Sequence, residues 1–356
     1  MSDLSLFFKD KRILVTGHTG FKGSWLSQVL YEWGAKVYGV SLKPKLEKNH
    51  FSLLELDKSV ESIYGDIRDF QFLEKTVLEI KPTIVFHLAA QSLVRESYVD
   101  PLGTYSTNVI GSANLLMSIL KCDSVESLVY ITSDKCYENV EWEWGYRESD
   151  RLGGVDPYSS SKACAEILFS SFMRSLFRDR VNFGAASARA GNVIGGGDWS
   201  KNRLIPDAVR AAESNMALEI RQPGSTRPWQ HVLDPINGYL MLARNLTLNS
   251  AKFSGAWNFG PTNQNTKSVG EVTDIFLKLL TNGRVGYGIM QDKLTESNLL
   301  QLNCDRATSI LNWQPKWNIE TTLNKTADWY KAIWEGTSAK QITSLQIKEF
   351  FGGQID

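Results

Sequence analysis

The stretch from Lys11 to Val40, KRILVTGHTGFKGSWLSQVLYEWGAKVYGV, constrains this chain more than any other. Ile13, Leu14 and Val15 form a short apolar run of the kind found in strands buried on both faces. Gly17, Gly20 and Gly23 follow at three-residue spacing. Trp25, Leu26, Val29 and Leu30 then share one face of a helix, and a second strand ends at Val40. A glycine turn between a buried strand and a helix lets the backbone approach a pyrophosphate held by the amides of the helix N-terminus. The spacing departs from the commoner G-x-G-x-x-G, and a ligand-free turn would also use glycine. The order strand, turn, helix, strand favours a dinucleotide site.

An acidic residue about twenty positions after the turn ordinarily holds the ribose 2′-hydroxyl of NAD. Here the second strand ends Val40, Ser41, Leu42, Lys43, so residue chemistry leaves NAD and NADP open. His18 sits in the turn, where it is expected to touch phosphate. Further on, VESIYGDIRD (Val60 to Asp69) reads as a third strand whose Asp66 can accept from an adenine amino group or simply cap a loop. A helix is predicted from Phe70 to Ile80, then a buried strand from Ile84 to Ala90. His87 inside that strand reads as a packed residue, and Ala89 and Ala90 leave room at its mouth for a ribose or nicotinamide.

Thr104 to Leu120 carries apolar residues at helical spacing, with Asn108 costly there unless its amide has a partner. The strand Leu128 to Ser133 delivers Ser133, Asp134 and Lys135 to the carboxyl edge of the sheet, where ligands bind in open α/β folds. Cys136 to Asp156, with Trp142, Trp144 and Tyr146, reads as a loop packing aromatics beside that site. Asp156 and Pro157 open a helix carrying Tyr158 and Lys162 at i and i+4, where the ammonium is expected to lower the phenol's pKa. From Phe183 a strand runs into the glycine-rich AGNVIGGGDW. We place the domain boundary there: a dinucleotide-binding domain over 1–185, and over 186–356 mainly a substrate lobe, with the return of some segments to the first domain left open. Asn192, Arg203, Arg221 and Arg227 lie in or beside its loops, and grouped arginines suit a diphosphate. Helices over Val269 to Leu280 and Ile319 to Glu335, with Trp313, Trp317, Trp329 and Trp334 in the core, complete it.

With 356 residues and 42% hydrophobic content, the chain can fill one large α/β domain plus that lobe. Lysine plus arginine and aspartate plus glutamate each number 39, so no global field favours nucleic acid or an anionic membrane. No apolar stretch has transmembrane length and Met1 to Lys11 lacks the pattern of a signal peptide, which makes the cytoplasm the expected location. The four cysteines form no C-x-x-C pair and the four histidines are dispersed, so no metal site is expected.

Together, GHTGFKGSWL, GDIRD, HLAAQSLVR, TYSTNV, TSDKCYEN, EWGYRE, DPYSSSK, ARAGNVIGGGDW, RLIPD, RPWQHV and WNFGP resemble the extended short-chain dehydrogenase/reductase family and, within it, the CDP-glucose 4,6-dehydratases. The resemblance implies a Rossmann-type doubly wound parallel sheet with a smaller α/β substrate lobe, NAD as cofactor, a nucleotide-sugar substrate, CDP-glucose, and a homodimer or dimer of dimers. It assigns the cofactor to Gly17, His18, Thr19, Gly20, Phe21, Lys22, Gly23, Asp66, Ile67, Leu88, Ala89, Ala90 and Asn108, with Tyr158 and Lys162. It assigns the substrate to Gln91, Asn192, Arg203, Leu204, Arg221 and Arg227.

The same resemblance implies a lyase. Tyr158, supported by Lys162 and a hydroxyl at Thr132 or Ser133, takes the proton of the sugar 4-hydroxyl during oxidation at C4. A base then removes the C5 proton, an acid protonates the departing 6-hydroxyl, and hydride returns to C6. Related dTDP-sugar dehydratases carry Asp-Glu where this chain reads Asp134-Lys135, so Lys135 is the expected base and Asp134 the acid. The product, a 4-keto-6-deoxyglucose on its nucleotide, would serve deoxysugar synthesis for surface polysaccharide. A nucleotide-sugar 4-epimerase shares the tyrosine and lysine but needs no elimination pair, and a non-catalytic dinucleotide sensor needs neither.

Overall fold

The computed structural model describes residues 3–261, 266–290 and 299–352. Seven parallel strands form one sheet: β1 (Arg12–Thr16), β2 (Lys36–Ser41), β3 (Glu61–Tyr64), β4 (Ile84–His87), β5 (Ser127–Ile131), β6 (Gly184–Arg189) and β7 (Gly255–Asn258). Their order is β7-β6-β5-β4-β1-β2-β3, and the winding reverses at the crossover from β3 to β4, which lies on the other side of β1. Because successive side chains of a strand point to opposite faces, each apolar run divides between two cores. Ile13, Val15, Ile84, Phe86, Val129 and Ile131 join one, while Leu14, Val85, Leu128 and Tyr130 join the other.

The first core is covered by α1 (Phe21–Glu32), the second by α2 (Phe70–Ile80), α3 (Gly111–Leu120) and α4 (Pro157–Arg174), and α5 (Leu233–Leu248) returns to the first. The predicted α2 matches its observed limits, with Asp69 capping one end and Lys81 turning left-handed at the other. The long helix predicted from Thr104 begins earlier, at Pro101–Tyr105, and reaches α3 through a π-helical turn at Ser106–Ile110. β4 and β5 end sooner than expected, which leaves Leu88 to Ala90 and Thr132 to Ser133 on loops at the sheet's carboxyl edge.

The expected boundary at 185/186 falls inside β6. β7 pairs with β6 at the edge of the same sheet, and the helix Ala339–Phe351 packs against α1, with Phe351 edge-on to Trp33 at 4.8 Å. The segments that stand apart are shorter: the turns around Val193–Ile194, the helix Leu204–Ser214 and the strands Leu218–Ile220 and Thr226–Pro228. Two aromatic expectations need correction. Trp142 and Trp144 are exposed, while Tyr146 stacks on Tyr137 at 5.2 Å in a small cluster with Leu300 and Leu302. Of the tryptophans placed in the second lobe's core, Trp313 and Trp329 are fully buried, Trp317 packs at its margin, and Trp334 is exposed.

Candidate active site

A cavity of about 450 Å³ opens at the carboxyl edge of the sheet, between the first glycine turn and the start of the helix Leu204–Ser214. Its floor is the predicted turn. Gly17 has φ +76°, and a Cβ there would stand 2.7 Å from the amide nitrogen of Ala89. A Cβ on Gly23 would stand 2.1 Å from the carbonyl oxygen of Gly17, so only glycine lets the turn close onto α1. Gly17, Thr19, Gly20, Phe21, Lys22 and Gly23 line the cavity, as do Asp66, Ile67, Leu88, Ala89 and Ala90. This backbone cradle at a helix N-terminus fits the diphosphate of a dinucleotide.

His18 does not face it. Its ring lies over Gly39, edge-on to Phe51 at 5.2 Å, and its Nε2 hydrogen-bonds Ser62 Oγ at 3.0 Å. Burial lowers its pKa to about 4, so it is a neutral spacer between the turn and β2. At the end of the cavity beside β2 and β3, Thr19 Oγ1 and Ser41 Oγ hydrogen-bond at 2.7 Å where an acidic residue was sought. Asp66 there is held in its charged form by Arg68, whose Nε and Nη2 reach Oδ2 at 2.9 and 2.6 Å.

Asn108 is likewise turned away from the cavity. Within the π-helical turn its Oδ1 accepts from the Gln91 amide at 2.8 Å, while its Nδ2 donates to Gln91 O at 3.0 Å and Ser161 Oγ at 2.8 Å. It braces the loop after β4 against α4, which is the work its costly position required. Gln91 was expected to meet substrate, yet its side chain folds back on Leu93 and Thr104. The neighbouring Ser92 reaches the cavity instead.

Tyr158 and Lys162 project from the first turns of α4, which starts at the Asp156 cap and Pro157. Both are buried and line the cavity. Burial raises the phenol's pKa to about 12, opposed by a hydrogen bond from Ser133 and the Arg203 charge. Burial also lowers the Lys162 ammonium to about 8, with Glu166 acting to raise it. The groups that act most strongly toward phenolate here are Ser133 and Arg203. Lys22 is lowered to about 8 by burial and by the nearby cations Arg203 and Lys162, with Asp134 opposing.

Thr132 and Ser133 were alternatives for the hydroxyl at the tyrosine, and the structure separates them. Thr132 Oγ1 donates to the buried Glu166 at 2.5 Å, which commits it away from the phenol. Ser133 caps the short turn Asp134–Cys136, accepting from the Lys135 amide, and donates to Asp134 Oδ1 at 2.9 Å. Asp134 is buried against Gly191, where a Cβ would stand 1.8 Å from its Oδ2, and Lys135 follows half-buried.

Arg203 lines the cavity, donating to Asp198 Oδ2 at 3.0 Å and to Ser92 Oγ at 3.3 Å. Arg221 lies beside it, its Nη2 3.4 Å from the carbonyl of Asn202. Asn192 has φ +43° and its carbonyl accepts from the Gln230 amide, placing it on the turn that leads to Arg227. Arg227 donates to Thr226 O at 2.9 Å, away from the cavity wall. Leu204 packs into the core and is no cavity residue. Sequence reasoning missed Asp198, Trp199 and Ser200 on the cavity wall, for which the GGGDW run was the signal. It also missed Glu166, although an acid four residues after Lys162 on an inward helix face could have marked it. Among the described residues no group of histidine, cysteine or acid side chains is arranged for a metal, and no helix is long and apolar enough to cross a membrane.

A sequence profile of the GDP-mannose 4,6 dehydratase family matches residues 14–326. The CDP-glucose 4,6-dehydratase of Salmonella typhimurium is 45% identical over 348 residues, 97% of each chain. A UDP-glucose 4-epimerase of Halalkalibacterium halodurans is 29% identical, over 92% of this chain and 98% of its own. Among solved structures, UDP-glucose 4-epimerase of Thermotoga maritima with UDP-glucose superposes with a TM-score of 0.77 at 22% identity, over 90% of this chain and 99% of the other. The Brucella ovis UDP-glucose 4-epimerase in complex with NAD gives 0.77 at 22%, over 89% and 98%. These two structures share the fold.

Proposed function

The chain belongs to the GDP-mannose 4,6 dehydratase family, and from that premise we propose that it converts CDP-glucose to its 4-keto-6-deoxy derivative with NAD held in the glycine-floored cavity. The observation that carries this reading is that Asp134, the first residue of the turn that continues to Lys135, lies close enough to Tyr158 for its charge to raise the phenol, which would set an acid and a base next to an oxidation pair. NAD, which Gly17, Gly20 and Gly23 would hold, would supply the hydride acceptor and donor of this reaction.

Gly17, Gly20 and Gly23 hold the diphosphate, and Lys22 screens its charge. Tyr158 accepts the proton of the 4-hydroxyl, with Ser133 and Arg203 stabilising the phenolate. Lys135 removes the C5 proton that the 4-ketone has acidified. Asp134 passes its proton to the 6-hydroxyl, which leaves as water, and Ser133 orients that carboxyl group. Arg203 on the cavity wall, with Arg221 and Asn192 nearby, would hold the nucleotide end. The exposed apolar residues Val99, Leu102, Ile110 and Ile167, on the helices around α4, support a homodimer or dimer of dimers paired through this face. The enzyme works in the cytoplasm, and its product serves deoxysugar synthesis for surface polysaccharide such as O-antigen.

A 4-epimerase is the second reading, favoured by the 29% identity to a UDP-glucose 4-epimerase over 92% of this chain. Mass spectrometry after incubating CDP-, dTDP-, UDP- and GDP-hexoses with protein and NAD separates the two. Loss of one water from CDP-glucose supports the proposal. An unchanged mass with altered sugar stereochemistry makes the chain an epimerase, and loss of water from another nucleotide sugar alone moves the substrate.

A further inference from the structure

The Asp134–Lys135 turn is pinned on both sides by a single buried ion pair. Before it, Thr132 Oγ1 donates to Glu166 Oε1 at 2.5 Å. After it, Tyr137 OH accepts from Arg189 Nη1 at 2.6 Å and donates to Asn258 Oδ1 at 2.8 Å. Glu166 and Arg189 meet at 2.7 Å, with side-chain exposures of only 3% and 4%. Ser187 Oγ adds a third donor to Glu166 at 2.8 Å, and the guanidinium lies 4.9 Å from the centre of the Tyr137 ring.

Glu166 stands on α4, four residues beyond Lys162 and eight beyond Tyr158. The helix that carries the oxidation pair therefore also fixes the turn that carries the acid and base. We propose that Glu166 and Arg189 are positioning residues for elimination, clamping both flanks of the turn so that Asp134 and Lys135 keep their place relative to Tyr158. This rests on the reading of Asp134 and Lys135 as the elimination pair. Two charges removed from water are costly, and hydrogen bonds that fix both of them hold a defined geometry in return. Thr132 and Ser187 donate to the carboxylate, and Tyr137 and the carbonyl of Glu148 accept from Arg189 Nη1, which leaves only the guanidinium Nε without a partner.

The test leaves the charges in place and cuts each arm separately. Thr132→Val removes one hydroxyl and Tyr137→Phe the other, with thermal unfolding followed alongside turnover. Either variant is expected to lower kcat for water loss at least tenfold, with KM for CDP-glucose little changed. The near-ultraviolet absorbance of bound reduced nicotinamide should rise during turnover, because oxidation at C4 proceeds while elimination stalls. The double variant should fall little below either single one, since releasing one flank already frees the turn. Glu166→Met with Arg189→Met, which replaces both charges together, should give the same signature.

Rates equal to wild type in both single variants would overturn the clamp. So would slowing without build-up of reduced nicotinamide, which would put Thr132 or Tyr137 in the oxidation step or in general stability. A wild-type protein that oxidised CDP-glucose yet released no water would sink the dehydratase reading itself, and the clamp with it.

Discussion

Trp25 Nε1, on the helix behind the glycine turn, donates at 2.9 Å to the carbonyl of Gly196 in the GGGDW loop. The indole is fully buried and stacks on His50 at 5.0 Å. The helix that follows the glycine turn and the loop that presents Asp198 and Arg203 are thus joined at this point. Trp25→Phe leaves that carbonyl without its donor and opens space beside His50. We expect a loss of roughly 1–3 kcal/mol in urea unfolding, together with a higher KM for the nucleotide sugar. An unchanged KM would mean that the loop holds its place without the indole.

Gly23→Ala places a methyl group 2.1 Å from the Gly17 carbonyl oxygen, which the turn cannot absorb without moving. NAD affinity should fall by about two orders of magnitude, or roughly 3 kcal/mol, with the circular dichroism spectrum retained. Gly224→Ala is the control, because its Cβ meets nothing within 4 Å. Calorimetric titration with NAD checks both, and equal affinities would remove the diphosphate from this turn.

Tyr158→Phe and Lys135→Met should fail at different steps. Without the phenol, oxidation at C4 stops, and turnover should drop by roughly 10²–10⁴ with no reduced nicotinamide formed. Without the amine, oxidation continues, while water loss and incorporation of solvent deuterium at C5 stop. Elimination at the normal rate in Lys135→Met would show that another group is the base.

The buried histidines set the response to acid. Burial lowers His18 to about 4 and His50, His87 and His231 to about 3, against an ordinary value of 6.5. From pH 6.5 down to about 3 the unfolded chain takes up protons that the folded chain refuses, so stability falls as pH falls. The cost is at most about 1.4 kcal/mol per pH unit for each histidine. Asp234 acts in the opposite sense. Burial raises it from 3.8 to about 7, so its contribution is full below 3.8 and is lost as pH rises to 7. Four groups outweigh one, and the urea midpoint should be lower at pH 5 than at pH 7. A higher midpoint at pH 5 would refute the assignment.

Local patterns made much of this legible. Gly17, Gly20 and Gly23 announced the cradle, and the Tyr158–Lys162 spacing placed both side chains in the cavity. What escaped depended on distant partners. His18 turns aside because Gly39, on the neighbouring strand, leaves room for its ring. The choice between Thr132 and Ser133 turns on where β5 ends and on the carboxylate of Glu166 across the helix. Asn108 advertised a need for a partner, but only the π-helical turn reveals that Gln91 and Ser161 meet it.

The return of β6 and β7 to the parent sheet has a consequence for how such a protein can change over generations. Its two halves are not interchangeable modules. Cutting the chain after residue 185 would divide β6, strip β7 from its partner and leave β5 as a raw edge open to pairing with other chains. A new sugar or nucleotide preference is therefore acquired by remodelling the excursions between β6 and β7, and beyond β7, while the strands that frame them stay fixed. Recombination that grafted a whole second lobe would carry away part of the floor on which the first one stands.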